Sequence, residues 1–160
     1  MIILMMGVTG AGKTTAGSLL AKALGWKFAD ADSFHPTANV EKMRHAIPLS
    51  DEDRIPWLEA IRDQMARWNA ASTDGVITCS ALKQSYRDLL LRNLAVKLVY
   101  LQGSPALIEA RVSQRQGHFA PAELVASQFA DLQEPHEALV VQVNRSPEEI
   151  VAEIRRRLAI

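Results

Sequence analysis

The chain carries a single cysteine, Cys79, so no internal disulfide can form, and no Cys or His spacing marks a metal-binding knuckle. A lone cysteine of this kind reads as a small buried hydrophobe in a reducing compartment. Net charge of either sign is also missing, since eighteen Lys plus Arg face eighteen Asp plus Glu. That balance disfavours a protein that holds nucleic acid or an anionic membrane through bulk positive charge. Long hydrophobic runs are lacking too. The opening Met-Ile-Ile-Leu-Met-Met-Gly is too short to span a bilayer and has no basic leader or cleavage pattern, so a cytoplasmic protein is expected. Glycine and proline are scarce, eight and seven in 160 residues, and no repeat, low-complexity stretch or linker interrupts the chain. What is present is a 48% hydrophobic composition, which excludes disorder and fits one domain over residues 1–160.

Ile2 to Met6 is a continuous apolar run ended by Gly7, the pattern of a strand buried on both faces in a parallel sheet. A glycine-rich turn follows. From Lys13 to Leu24, small and apolar residues recur at helical spacing, and Gly25 closes the helix. Further short strands are predicted at Lys27 to Asp30, Val76 to Ser80, Val96 to Gln102 and Leu139 to Val143. Trp57, Leu58, Ile61, Met65 and Trp68 make one core-facing stripe on a helix expected to start near Arg54. Ser104-Pro105 and Ser146-Pro147 each place a capping hydroxyl before a proline at the first helical position, and Glu149 completes a capping box with Ser146. Arg155 to Arg157 read as a solvated helix end. Strands alternating with helices predict an α/β fold, a parallel five-stranded sheet flanked by helices. Ala31 to Asp53 and Gln116 to Pro135 fit the alternation poorly, and such excursions usually sit over the carboxyl ends of the strands, where ligands bind.

The segment Gly7-Val8-Thr9-Gly10-Ala11-Gly12-Lys13-Thr14, followed by Thr15, is Gly, four residues, then Gly-Lys-Thr, between the first strand and the first helix. Residues without bulk let backbone N–H groups converge on phosphates, and the helix N-terminus adds positive potential. In such a phosphate-binding loop (P-loop), Lys13 reaches the β and γ phosphates of ATP and the Thr14 hydroxyl can ligate Mg²⁺. No Asn-Lys-x-Asp segment follows the third strand, which counts against a GTPase, and the chain is small for a motor ATPase. A small-molecule kinase leads.

On the acceptor side, Asp30-Ala31-Asp32 follows the second strand, with His35-Pro36 three residues on. A kinase needs a carboxylate beside the acceptor hydroxyl and Mg²⁺, and Asp32 is the candidate base, the lesser reading being that Asp30 and Asp32 cap the helix or turn that follows. Arg54 stands at the head of the tryptophan helix. Lys83 and Arg87, four apart after Cys79-Ser80-Ala81-Leu82, share a helical face and suit an anionic acceptor. Arg111 and Arg115 are also four apart and run into Gln116-Gly117-His118-Phe119, a natural lid over a transferring phosphoryl group.

Taken together these segments resemble the gluconate kinases (gluconokinases) among the P-loop small-molecule kinases. The likeness runs through the P-loop, Asp30 to Pro36 with Asn39 and Lys42-Met43, and Pro48-Leu49 with Asp51, Asp53-Arg54 and Pro56-Trp57-Leu58. It continues through Cys79 to Lys83 with Tyr86-Arg87-Asp88, Gly117-His118-Phe119, Ser127-Gln128-Phe129 and Leu132 to Pro135. The resemblance implies ATP- and Mg²⁺-dependent phosphorylation of D-gluconate at its 6-hydroxyl, in gluconate catabolism, on a fold like those of shikimate and adenylate kinases. A kinase for another hydroxy acid, such as shikimate or a different aldonate, is the alternative. The resemblance implies a lid over about residues 111–135 and suggests a homodimer. Arg54, Lys83 or Arg87 would pair the substrate carboxylate, Asp32 and His35 would address hydroxyls, Arg111 and Arg115 would face phosphate, and His118 and Gln128 would help enclose the substrate. Two positions depart from the family pattern: Ala46 stands where glycine is usual, and Gln142 or Asn144 replaces an acidic residue at the last strand.

Overall fold

The computed structural model describes residues 1–114 and 121–160. Five strands, β1 (Ile2–Met6), β2 (Lys27–Asp30), β3 (Gly75–Thr78), β4 (Lys97–Gln102) and β5 (Leu139–Gln142), form one sheet in the order β2-β3-β1-β4-β5. Every pairing is parallel, with Met5 beside Thr78 on one side and Val99 on the other. β1 lies at the centre, and the chain leaves it towards β2 on one side before crossing to β4 on the other. Its carboxyl end is therefore the switch point at which open α/β sheets bind ligands.

Around the sheet lie α1 (Lys13–Leu24), α2 (Thr37–Arg44), α3 (Asp51–Ala70), α4 (Gln84–Leu91), α5 (Pro105–Ser113), α6 (Pro121–Asp131) and α7 (Pro147–Leu158). The alternation of β1 divides the core in two. Ile3 and Met5 pack with Leu20 of α1, Ile108 of α5 and Ile150 of α7 on one face. Ile2, Leu4 and Met6 pack with Ile61 of α3 and Leu90 of α4 on the other. Both faces of β1 are thus covered, which is why its sequence reads as a continuous apolar run.

Several boundaries are those the sequence implies. α1 runs from Gly12 to a left-handed Gly25, and the hydroxyls of Ser104 and Ser146 cap α5 and α7. The tryptophan helix differs, because α3 begins at Asp51, before Arg54. Ser50 and Asp53 form a reciprocal capping box there, so Asp51 to Arg54 are its first turn and not its approach. Pro56 is accommodated inside α3, since its missing N–H removes only the bond to the Glu52 carbonyl near the helix start, where Glu52 is exposed to water. β3 stops at Thr78, which releases Cys79 and Ser80 into the loop above the sheet. The two segments that fit the alternation poorly hold helices: Ala31–Phe34 is a 3-10 turn followed by α2, and α6 lies within the second.

Candidate active site

The P-loop links β1 to α1 and takes its shape from backbone that only glycine adopts without strain. Gly10 has φ +80°, and a Cβ there would meet Val112 Cγ2 at 2.6 Å; Gly12 has φ +90° and faces open space. Val8 and Ala11 are buried in the core, so they offer the site main chain and no side chain. The Lys13 ammonium donates to the Val8 carbonyl at 3.0 Å, which folds it over the loop. A cavity of about 350 Å³ opens above, lined by Lys13, Thr14 and Thr15 from the loop side and by Asp30, Asp32 and Ser80 from the strand ends.

Asp30 divides its carboxylate between two tasks. Oδ2 accepts from the Thr14 hydroxyl at 2.7 Å, and Oδ1 accepts from the Asp32 amide at 2.9 Å, capping the 3-10 turn. The Thr14 hydroxyl and the Asp30 carboxylate are hard oxygen donors side by side, the donor type that Mg²⁺ selects alongside nucleotide phosphates. The capping expectation is thus met by Asp30, while the Asp32 side chain is left to the cavity. Asp30 was not among the candidate site residues; its place between the P-loop threonine and the first acceptor-side turn depends on β2 ending level with α1, which a sequence does not display.

A second cavity, about 180 Å³, adjoins the first, and Ser80 and Gln128 line both. Its walls include His35, Arg54, Trp57, Tyr86 and Asp131. The His35 ring stacks on Trp57 with centroids 4.4 Å apart, and Trp57 Nε1 donates to the Ala31 carbonyl at 2.7 Å, so the indole fixes both the ring and the turn before it. Burial lowers the His35 pKa, with the Asp32 charge opposing and Arg54 assisting, so the imidazole is neutral at pH 7. Gln128 Oε1 accepts from the Thr9 amide at 2.7 Å, which brings α6 onto the P-loop. Asp131 is a missed member of the site. Its spacing of three from Gln128 on a helix was the available signal, since such residues share a face.

The three acceptor-side cations separate. Arg54 lines the second cavity, with Nη1 donating to the Tyr86 hydroxyl at 3.2 Å. Lys83 lines neither cavity; its Nζ donates to Asp51 Oδ1 at 3.1 Å. Arg87 corrects the expectation that it faces an anionic acceptor. It is 1% exposed and its guanidinium donates to the carbonyls of Ala81 (2.7 Å), Leu82 (2.9 Å) and Gln133 (2.5 Å) and to Gln84 Oε1 (2.9 Å). Its helical face turns inward because the Cys79–Lys83 loop and the segment after α6 meet there, and Arg87 pins one to the other. Arg111, expected to face phosphate, donates instead to the Val143 carbonyl. Arg115 and His118 lie outside the described residues.

The fold and the paired cavities define a P-loop kinase: a nucleotide-phosphate cradle with an acceptor pocket opening beside it. The family model for shikimate kinase matches residues 9–159. A probable gluconokinase from Mus musculus is 43% identical, covering 98% of this chain and 97% of its own length. The gluconokinase of Gluconobacter oxydans is 40% identical over 96% of this chain and 89% of its own. A crystal structure of a gluconokinase from Sinorhizobium meliloti superposes with a TM-score of 0.86 at 39% identity, covering 98% of this chain and 90% of that one. The chain belongs to the gluconokinase family, within the shikimate kinase group of P-loop kinases.

Proposed function

We propose that this protein transfers the γ-phosphoryl group of ATP to the 6-hydroxyl of D-gluconate, in gluconate catabolism. The observation that carries this reading is the junction of the two cavities at Ser80 and Gln128, with phosphate-binding groups on one side and Arg54 on the other. The acceptor pocket suits a polyol with an acid at one end. Arg54 pairs the carboxylate, while neutral His35 and the Asp131 carboxylate offer partners to the hydroxyl row.

The P-loop amides and Lys13 hold the triphosphate. Thr14 and Asp30 would hold Mg²⁺, which would supply charge neutralisation on the phosphates. Asp32 accepts the proton of the 6-hydroxyl as the oxygen attacks the γ-phosphorus. The new O–P bond forms as the bond to the β-phosphate oxygen breaks, leaving ADP. Arg115 and His118, by family resemblance, complete the enclosure of the transferring group, and Gln128 ties that enclosure to the P-loop. A homodimer is the form the resemblance suggests.

The test is ADP release with Mg-ATP against a panel of gluconate, shikimate, adenylylsulfate, nucleoside monophosphates and other aldonates. Gluconate should give the highest kcat/KM; a higher value for shikimate would replace the acceptor assignment. Asp32→Asn should lower kcat about 10²-fold or more, and a near-normal rate would move the base elsewhere.

A further inference from the structure

The acceptor rim contains a carboxylate that the transfer reaction does not use. Asp51, in the first turn of α3, accepts from the Tyr86 hydroxyl at 2.5 Å and from Lys83 Nζ at 3.1 Å through the same oxygen, and Arg54 Nη1 lies 3.6 Å from it. Tyr86 relays between them, its hydroxyl accepting from Arg54 while donating to Asp51. Both cations also lie against the Tyr86 ring, at 5.9 Å for Arg54 and 5.5 Å for Lys83. Arg54 and Tyr86 line the acceptor cavity, whereas Asp51 and Lys83 do not. Among the described residues that line this cavity Arg54 is the sole cation, and Asp131 adds a carboxylate to the wall.

We propose that Asp51 sets the charge the acceptor rim can accept: by neutralising Lys83 and orienting Arg54 through Tyr86, it leaves Arg54 as the one cation that meets the acceptor head group and so selects singly charged acids over doubly charged ones. With Lys83 held by Asp51, Arg54 is the one cation the head group meets, and the Asp131 carboxylate on the same wall adds to the repulsion of a phosphate dianion. Electrostatic complementarity of this kind discriminates by what it repels as much as by what it holds. The rim is partly open to solvent, with the Asp51 side chain 64% exposed, so the effect is a tuning of preference and fades as salt rises. This inference rests on gluconate being the acceptor.

The probe is glucitol 6-phosphate, a hexitol with a phosphate head that is dianionic at pH 8 and a primary hydroxyl at the far end. Its Ki against gluconate and the KM of gluconate are measured at low ionic strength and saturating Mg-ATP, whose γ-phosphoryl group fills the transfer end and keeps the probe's phosphate at the rim, for the full chain, Asp51→Asn, Lys83→Met and the double variant. Asp51→Asn should lower the ratio Ki/KM about threefold, the scale of one unit charge near a solvated surface. Lys83→Met, which leaves the α3 cap intact, should raise it, and the double variant should return it near the starting value. High salt should shrink all three differences. A purely structural Asp51 would move Ki and KM together, and an unchanged ratio in both single variants overturns the proposal while gluconate turnover stands. Absence of gluconate turnover in the unaltered chain would overturn the acceptor assignment and this inference with it.

Discussion

Replacing Arg87 with Met tests whether this cation is a structural staple or a substrate ligand. The guanidinium lies inside the protein, and its removal leaves the Ala81 and Gln133 carbonyls without their Arg87 bonds. The Leu82 carbonyl keeps a partner, since the Gln133 amide also donates to it at 2.9 Å. Orphaning the buried Ala81 carbonyl costs about 1–3 kcal/mol, whereas exposed Gln133 can turn its carbonyl to water, so the predicted loss is about 2 kcal/mol. For a domain of this size that corresponds to a Tm lower by roughly 4–8 °C. Arg87→Lys should recover part of the loss, because an ammonium cannot reproduce a planar fork over several carbonyls. The assay is paired: thermal or urea unfolding, and KM for gluconate at a temperature well below the transition. Because Arg87 does not line the acceptor cavity, KM should stay within about twofold of the unaltered protein. Unchanged stability together with a KM raised tenfold would refute the reasoning and return Arg87 to the acceptor carboxylate.

Three further outcomes follow from particular residues. Ala46 has φ +55°, so Ala46→Gly relieves about 1 kcal/mol of left-handed strain against a smaller entropic cost in the unfolded chain; a net gain near 0.5 kcal/mol should raise Tm by 1–2 °C in a thermal melt, and a fall would contradict it. Burial pushes the Cys79 thiol up to about 12, so an aromatic disulfide reagent at pH 8 should leave it untouched in the native protein and label it fully in denaturant. The Lys42 ammonium, 2.8 Å from Asp53, together with the Ser50 amide, lowers the Asp53 pKa to about 2. A depressed carboxylate pKa stabilises the fold above the unfolded value and loses that contribution as pH falls towards 2, so the acid limb of a pH–stability curve should flatten between about pH 4 and 2 in Asp53→Asn.

Much of the fold was legible because its signals are local. The apolar run of β1, the glycine-bounded α1 and the two Ser-Pro helix starts each depend on neighbours within a few residues. The apolar stripe from Trp57 to Trp68 marks the core-facing part of α3 and not its first turn, so it points to a start near Arg54, whereas the Ser50–Asp53 box, equally present in the sequence, sets the cap before Asp51. Ala46 shows how a departure from a family pattern can carry physical content, since the position where glycine is usual has a left-handed backbone. The phosphate side of the site was readable from one contiguous motif. The acceptor side was not, because the fate of each cation is decided by contacts distant in sequence: Lys83 by Asp51, Arg87 by the Gln133 carbonyl, and Arg111 by Val143. A pair four residues apart shows that two side chains share a helical face, but not whether that face looks into a pocket or into the protein.

The most direct test of the central claim is a phosphorus–proton correlation spectrum of the product formed from Mg-ATP and D-gluconate. The paired cavities and the Asp32 base predict a phosphate monoester coupled to the two protons of the terminal C6 methylene, formed together with ADP. A phosphate on any other carbon, or ADP formed with no phosphorylated gluconate, would contradict it.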